Sequence, residues 1–272
     1  MSQKETPQDF CDKCMTVVKH EGTPKGRTIE VPGQSGPHKV YVALPQEGKY
    51  KTDEAIVMCT DIFGLSLVNN LLIADAFAEN GIQCYIPDYL NGDPVPQDVK
   101  TNPERAKTFS MADWRTQHTA AQTRPARDAV IRHLREEKGV TRLYGIGYCF
   151  GARYVMDLIF EDKLAKAAFA HPSQLKVPED FERLVELSKD DKQKVPPLLF
   201  LSCERDPQFP LEAQAKADEI LTKLNSGDGE RYKRVYFPDN EHGFAVRGDI
   251  SVRQVKEAKE DAFKQALAWF QG

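Results

Sequence analysis

The segment Gly147-Tyr-Cys-Phe-Gly151 lies between a short apolar run and a stretch with helical apolar spacing. The run at 141–146 predicts a buried strand and Ala152–Phe160 predicts a helix, so Cys149 falls on a strand-to-helix turn. Glycines two residues before and two after Cys149 are what such a turn requires, since side chains there would clash with the neighbouring strand or helix. The pattern predicts a nucleophile with an exposed sulfur, and a buried packing cysteine is the alternative.

Strands and helices alternate along most of the chain. Continuous apolar runs such as Leu198–Leu201 predict strands covered on both faces, which is typical of parallel sheets. Lys39–Ala43 alternates instead, and predicts an antiparallel start to the sheet. We therefore expect an α/β fold, with a mostly parallel sheet of about eight strands and helices on both faces. It would form a single domain over residues 1–272, with a loosely ordered N-terminal arm at 1–26.

The strands are predicted at Arg27–Val31, His38–Ala43, Ala55–Thr60, Gln83–Ile86, Thr141–Ile146, Ala165–Ala170, Leu198–Ser202 and Tyr232–Phe237. The helices are predicted at Leu67–Asn80, Thr116–Glu137, Gly151–Phe160, Pro178–Ser188, Pro210–Leu224 and Ser251–Gln271. The polar stretch Asn91–Thr116 has no assigned helix or strand. It is either a lid over the site or a surface loop without function.

Composition limits the classes of function. The chain has 40% hydrophobic residues and charges that sum to −4, which argues against disorder and against a nucleic-acid-binding surface. The N-terminus lacks the apolar core of a signal peptide, and no apolar run reaches the length of a membrane span. We expect a cytoplasmic monomer or homodimer that binds a small neutral or modestly anionic molecule, not a membrane.

Cys11 and Cys14 form the only Cys-x-x-Cys pattern among six cysteines. A structural zinc site needs four ligands, and the sequence offers no second cysteine pair and only His20 nearby. A redox pair would be expected after a strand and at a helix start, which this polar segment does not provide. We predict two thiols in the arm and no metal site.

If Cys149 is a nucleophile, an acid and then a histidine should follow it, each in a loop after a later strand. Asp206 lies just beyond the strand Leu198–Ser202, and His242 is the only histidine after Asp206. His242 also follows a predicted strand. The order nucleophile, acid, histidine is therefore complete.

The chemistry requires these residue types. Only a few per cent of a thiol with a pKa of about 8.5 is thiolate at pH 7, so His242 would take the proton of Cys149. Asp206 would fix the tautomer of His242, with Glu204 as an alternative acid. The other charged residues nearby, Asp239 and Glu241, are interpreted as solvated. His171, in Ala-His-Pro-Ser, either lines the pocket or is a hydrogen-bonded histidine at the sheet edge.

Acyl transfer also needs donors for an oxyanion. The amide of Phe150 is one donor by construction of the turn, and a second is expected from the loop Asp61–Gly64.

From about Arg27 onward the chain resembles the dienelactone hydrolase family of α/β-hydrolases. The matching segments are Asp-Ile-Phe-Gly at 61–64, Ile-Pro-Asp-Tyr at 86–89, Gly-Tyr-Cys-Phe-Gly at 147–151, Arg-Asp-Pro at 205–207 and His-Gly-Phe-Ala at 242–245. The resemblance implies a Cys149–Asp206–His242 triad, the amides of Phe150 and Ile62 as an oxyanion hole, and lactone hydrolysis without a cofactor.

Two positions depart from the family pattern. Enzymes of the family that cleave dienelactone usually carry a glutamate at the position of Asp61, where it holds the thiol in a less reactive state. They also carry an arginine four residues after the histidine, where this chain has Val246. Arg247 follows, but neighbouring residues on a regular strand point to opposite faces. A cationic grip through Arg247 is therefore an expectation, as are pocket contacts from Trp114 and Arg115.

The sequence predicts a hydrolase of small lactones or activated esters that forms an acyl-thioester on Cys149. One alternative is a broad carboxylesterase or thioesterase. The other, from a different class, is a non-catalytic or redox-sensing protein on the same scaffold, with Cys149 as an oxidisable thiol.

Overall fold

The computed structural model describes residues 15–34, 36–189, 194–225 and 229–272. The Cys11 and Cys14 pair lies outside these ranges. Within them, no helix is both long enough and apolar enough to cross a lipid bilayer.

Eight strands form one sheet in the order β1-β2-β4-β3-β5-β6-β7-β8. The strands are β1 Arg27–Gly33, β2 Gly36–Ala43, β3 Glu54–Cys59, β4 Gln83–Pro87, β5 Arg142–Tyr148, β6 Lys166–Ala170, β7 Leu198–Arg205 and β8 Tyr232–Glu241. β2 pairs antiparallel with both β1 and β4, and all pairs from β4 to β8 are parallel. The antiparallel start and the parallel remainder confirm the fold class expected from the apolar runs.

The helices are α1 Val68–Glu79, α2 Pro103–Thr108, α3 Met111–Gln117, α4 Ala120–Glu136, α5 Gly151–Phe160, α6 Glu179–Leu187, α7 Leu211–Leu221, α8 Phe244–Arg247 and α9 Arg253–Gln271. α1 and α9 cover one face of the sheet together, with the rings of Phe77 and Phe263 4.9 Å apart between centroids. α4, α5 and α6 lie side by side on the other face. Arg127 of α4 donates to the carbonyl of Tyr154 on α5, and Arg153 of α5 pairs with Asp180 of α6.

The polar stretch after β4 contains two short helices that the sequence analysis did not assign. Asn102 caps α2 by accepting from the amides of Glu104 and Arg105, and Pro103 occupies the first turn. Ser110 caps α3 in the same way. The single helix predicted over Thr116–Glu137 is also wrong at its start, since α3 ends at Gln117 and α4 begins at Ala120.

The described part of the N-terminal arm hydrogen-bonds to α1 and to the end of α8. The backbone N–H of His20 donates to Asn69 Oδ1 at 2.9 Å, and the amide of Asn69 donates to the carbonyls of Val18 and Val246. The N–H of Val18 donates to the carbonyl of Arg247 at 3.3 Å. One asparagine side chain thus joins three segments that are distant in sequence.

The start of α5 lies directly against the end of β3. A Cβ atom added to Gly151 would lie 2.1 Å from the carbonyl oxygen of Cys59 and 2.6 Å from that of Thr60. Both contacts are with backbone, which cannot rotate away as a side chain can. Glycine at 151 therefore allows the helix to approach the strand.

We predict that Gly151→Ala lowers the free energy of unfolding by about 3 kcal/mol, because the methyl group forces backbone apart in a packed core. Urea denaturation of both proteins measures this difference. The control is Gly272→Ala, whose added Cβ would lie 3.4 Å from the carbonyl oxygen of Ala268. Equal stability of Gly151→Ala and the unmodified protein would contradict the close approach.

Candidate active site

Cys149 occupies the predicted turn between β5 and α5. Its φ of +50° is in the left-handed region that non-glycine residues rarely adopt. A Cβ on Gly147 would lie 2.7 Å from the Cα of Ala152, so the glycine before the turn is required as well. The expectation of an exposed sulfur is wrong, since Cys149 is 0% exposed.

The end of β6 and the loop after it hold the turn from one side. The N–H of Cys149 donates to the carbonyl of Ala170 at 3.2 Å, and the N–H of Ser173 donates to the carbonyl of Cys149 at 3.1 Å. The hydroxyl of Ser173 also lies 3.9 Å from the sulfur of Cys149. The loop therefore fixes both the backbone and the side chain of the candidate nucleophile.

Asp206 and His242 meet at the ends of β7 and β8. Nδ1 of His242 lies 2.8 Å from Oδ1 of Asp206, and both residues are buried. The amides of Gln208 and Phe209 donate to the same carboxylate oxygen. β7 and β8 shift register between Cys203 and Arg205, a bulge of the kind that re-aims side chains beside a site.

The alternative acid, Glu204, points elsewhere. Its carboxylate accepts from the backbone N–H of Asp239 at 2.7 Å. Asp239 itself is exposed, and Glu241 is half-buried with its carboxylate 3.5 Å from Arg205. Asp206 is therefore the acid that contacts His242.

His242 carries a raised pKa. Burial lowers it, but the charges of Asp206 and Cys149 and their hydrogen bonds to the ring outweigh burial and raise the pKa of His242 to about 10. Nε2 of the same ring is buried and bonds to no nitrogen or oxygen of the described residues. These influences together favour the protonated imidazole of His242.

Asp61 and Arg247 form a second buried ion pair. Nη1 of Arg247 lies 2.7 Å from Oδ2 of Asp61, and the side chains are 2% and 0% exposed. The other oxygen of Asp61 accepts from Asn70 Nδ2 and from the N–H of Phe63. Burial raises the pKa of Asp61, Arg247 lowers it and the charge of Cys149 raises it. The carboxylate is thus coupled electrostatically to the thiol.

Arg247 takes this position because residues 244–247 form the short helix α8. The expectation that neighbouring residues of a strand point to opposite faces therefore does not apply to Val246 and Arg247. The side chain of Val246 is fully buried. Gly243 precedes α8 with φ +94°, and a Cβ there would lie 2.8 Å from the guanidinium carbon of Arg247. The glycine after His242 leaves the space that the arginine fills.

The two predicted amide donors lie on segments that touch. Phe150 begins the turn into α5, and Ile62 follows β3 within the buried loop Asp61–Gly64. The close approach of Gly151 to the carbonyls of Cys59 and Thr60 places these segments together. An oxyanion position between the two amides is compatible with this packing.

His171 lies beside His242, with 5.0 Å between ring centroids. Its φ is +36°, it is 0% exposed, and both of its ring nitrogens are buried without a hydrogen-bond partner among the described residues. Burial lowers the pKa of His171 well below its usual value, and the charges of His242 and Arg247 lower it further. His171 is therefore the neutral imidazole of the pair.

Trp114 packs against Phe150. Its ring is 5.6 Å from that of Phe150 and stacks on His118, and its Nε1 donates to the carbonyl of Asp93 at 2.8 Å. Arg115 lines a neighbouring cavity that also contains Phe150. Trp114 thus packs against Phe150 at the start of α5.

The sequence analysis missed Ser173 and Asn70. Ser173 ends the Ala-His-Pro-Ser segment that singled out His171, so its position after a predicted strand was an available signal. Asn70 is a buried polar residue in the first turns of α1, where its amide reaches Asp61. Among the described ranges, no group of three or more His, Cys, Asp or Glu side chains is placed to hold a metal ion.

We predict that Arg247→Met lowers the free energy of unfolding by about 3–5 kcal/mol, because Asp61 is left as a buried, unpaired charge. Adding Asp61→Asn should restore part of that loss. Denaturant unfolding of the two single variants and the double variant measures the coupling. An exposed pair, Arg253 with Glu257, is the control, and Arg253→Met should change stability little. Additive losses in the double variant would contradict the coupling.

Comparisons with known proteins identify the family of the chain. The model of the dienelactone hydrolase family matches residues 39–272. The chain is 35% identical over 257 residues to hydrolase pyvD of Aspergillus violaceofuscus, covering 94% of each chain. It is 30% identical over 266 residues to dienlactone hydrolase 1 of Gibberella moniliformis, covering 97% of this chain and 93% of that one.

Solved structures agree on the fold. The structure of a putative dienelactone hydrolase from Klebsiella pneumoniae superposes with a TM-score of 0.68 at 17% identity, covering 90% of this chain and 98% of that one. The chain belongs to the dienelactone hydrolase family of α/β-hydrolases and is a hydrolase that acts on carboxylic ester bonds.

Proposed function

We propose that this protein hydrolyses small lactones or activated carboxylic esters through an acyl-thioester on Cys149. The observation that carries the proposal is the buried Asp206–His242 contact beside Cys149, together with the raised pKa of His242. In this proposal the proton on His242 comes from the thiol of Cys149. Cys149 is then a nucleophile before substrate arrives.

In the first half of the cycle, the sulfur of Cys149 attacks the carbonyl carbon and forms a carbon–sulfur bond. The carbonyl oxygen gains negative charge, which the N–H groups of Phe150 and Ile62 stabilise. The carbon–oxygen bond to the leaving alkoxide breaks, and His242 donates its proton to that alkoxide. The products are an alcohol, or the open end of a lactone, and the acyl-thioester.

In the second half, water attacks the thioester carbon while His242 accepts the proton of that water. The carbon–sulfur bond breaks, the carboxylic acid leaves, and the thiolate next to imidazolium is restored. Asp206 holds the ring of His242 in one tautomer through both halves. Water is the only co-reactant that the balance requires.

Thiolate chemistry limits the substrates. A thiolate leaves a tetrahedral intermediate far more readily than an alkoxide does, so the intermediate reverts unless the leaving oxygen is stabilised. Enol lactones and aryl esters meet this condition, and simple alkyl esters do not. This preference separates the proposed reaction from that of a broad carboxylesterase.

Asp61 and Arg247 are proposed to tune the thiol and to bind a substrate carboxylate. The support is the 2.7 Å pair between them and the influence of Cys149 on the pKa of Asp61. A substrate anion that draws Arg247 away leaves Asp61 as an uncompensated charge near the sulfur. His171 is proposed to contact substrate as a neutral group next to His242, and Trp114 is proposed to act on substrate binding through its contact with Phe150.

Incubation with p-nitrophenyl acetate should add one acetyl group to the protein, and Cys149→Ala should abolish the adduct. Intact-protein mass spectrometry measures it, with release of p-nitrophenolate followed in parallel. Cys84→Ala is the matched control, because Cys84 is a fully buried thiol on β4. Absence of both adduct and turnover in the unmodified protein would support the redox-sensing alternative.

The raised pKa of His242 predicts that its imidazole is charged at pH 8, because an imidazole is protonated below its pKa. Proton NMR of the ring, assigned with His242→Gln, should show a titration midpoint near 10. The midpoint should fall in Cys149→Ala, which removes the thiolate, and stay unchanged in Cys84→Ala. A midpoint near 6.5 in the unmodified protein would contradict the preformed thiolate.

A further inference from the structure

The short helix α8 sets the position of Arg247, but it is too short to be stable by itself. It makes a single turn, in which the N–H groups of Val246 and Arg247 both donate to the carbonyl of Gly243. One helical turn is unfavourable in water without support from the rest of the protein. The carbonyls at the end of a helix also lack partners within the helix. Contacts from outside α8 must therefore fix the position of Arg247.

Three donors from outside α8 bind three successive carbonyls at its end, those of residues 246–248. The first carbonyl accepts from the side-chain amide of Asn69 at 2.9 Å, and the second accepts from the backbone N–H of Val18 at 3.3 Å. The third, the carbonyl of Gly248, lies 2.9 Å from Nε2 of His20. The end of α8 is therefore held by α1 and by the N-terminal arm together.

His20 is itself placed by Asn69. The backbone N–H of His20 donates to Oδ1 of Asn69 at 2.9 Å, so the asparagine that binds α8 also positions the histidine. Burial lowers the pKa of His20, and the imidazole is therefore neutral at neutral pH. Since the carbonyl of Gly248 can only accept, the single ring proton lies on Nε2. The imidazole of His20 thus acts as a hydrogen-bond donor to the end of α8.

The residue after Asn69 holds the other half of the ion pair. The side-chain amide of Asn70 donates to Oδ1 of Asp61 at 3.1 Å, and Nη1 of Arg247 lies 2.7 Å from Oδ2 of the same carboxylate. Asn69 and Asn70 are both buried in the first turn of α1. Two adjacent residues of one helix therefore fix the carboxylate and the segment that carries the guanidinium.

We propose that Asn69 and His20 are positioning residues that hold α8 in place. They keep Arg247 paired with Asp61 and thereby favour the thiolate of Cys149. Without their hydrogen bonds α8 shifts, Arg247 withdraws, and the charge of Asp61 is no longer balanced. An unbalanced carboxylate near a sulfur disfavours the thiolate, because like charges repel. This inference rests on the proposed function, in which the ion pair tunes the thiol.

The first experiment measures the ionisation of Cys149 in the absence of any ester. A thiolate absorbs in the far ultraviolet and a thiol does not, so the difference in absorbance between the protein and Cys149→Ala at each pH reports this one thiol. The midpoint should rise by about one pH unit in Asn69→Ala and in His20→Ala, the shift expected from a nearby like charge. His20→Gln should keep the original midpoint, because the side-chain amide of glutamine can donate to Gly248 as Nε2 does.

The matched control is Asn80→Ala, at the other end of α1. The side chain of Asn80 is exposed and donates to the carbonyl of Ala76 within its own helix. The ionisation midpoint of Cys149 in this variant should equal that of the unmodified protein. Thermal unfolding confirms that each variant is folded, and the two His20 variants carry the test if Asn69→Ala does not fold.

The second experiment tests whether the two residues act through the ion pair. The double variant Asp61→Asn/Arg247→Met removes both charges and leaves no buried charge unpaired. In this background, Asn69→Ala or His20→Ala should leave the midpoint of Cys149 unchanged. Equal shifts with and without the ion pair would indicate a merely structural role and overturn the proposal. Unchanged midpoints in both alanine variants of the otherwise unmodified protein, or equal shifts in His20→Ala and His20→Gln, would overturn it as well.

Turnover separates this inference from the proposed function. The acidic limb of the pH profile of kcat/KM for p-nitrophenyl acetate should move by about one pH unit in Asn69→Ala and His20→Ala, in step with the midpoint of Cys149. At a pH below that limb, kcat/KM should fall roughly tenfold, because the fraction of thiolate falls tenfold. A lower kcat/KM with an unchanged limb would overturn the positioning role. The expected midpoints without any hydrolysis that depends on Cys149 would instead overturn the proposed hydrolysis and leave the positioning role standing.

Discussion

The contact between the backbone of Gly151 and the carbonyls at the end of β3 is the constraint on which the site depends. It lets α5 begin against the sheet, so that the chain must turn sharply at Cys149. The same contact brings the loop after β3, with Asp61 and Ile62, beside the start of α5. A bulkier residue at position 151 would therefore move Cys149 and the amide of Phe150 away from Asp61 and Ile62.

Two buried ion pairs are the second constraint on the site. Asp206 and Asp61 are buried carboxylates, and each has one cationic partner, His242 or Arg247. His171 lies among these charges, and burial beside two cations keeps it neutral. Buried charges are costly unless they are paired. The pairing therefore favours one protonation state for each of these buried side chains.

The sequence predicted the sheet well because parallel strands are buried on both faces and leave continuous apolar runs. Leu198–Leu201 is an example, and all of it lies within β7. The order of Cys149, Asp206 and His242 was predictable for a related reason, since each follows a recognisable strand. The contact between Asp206 and His242 could therefore be expected before any coordinates.

Features that depend on tertiary contacts or on short local signals were harder to predict. The two-turn helices α2 and α3 lack apolar periodicity, and only their capping residues mark them. The surroundings of the Cys149 sulfur include Ser173 in the loop after β6 and His242 after β8, which lie far from Cys149 in sequence. The direction of the Arg247 side chain depends on the one-turn helix α8. Four residues are too few to show a helical pattern in the sequence. The pairing of Arg247 with Asp61 joins positions 186 residues apart and leaves no trace in spacing.

The charge of Cys149 also changes the pKa of His242 during the proposed cycle. That charge is one of the causes that raise the pKa of His242, and formation of the thioester removes it. Once the acyl group is attached, only Asp206 continues to raise the pKa of the imidazole, while burial still lowers it. His242 therefore parts with its proton more easily after acylation than before, and the ring that served as an acid becomes a base when water must be activated. The reaction itself resets the protonation state that its next step requires.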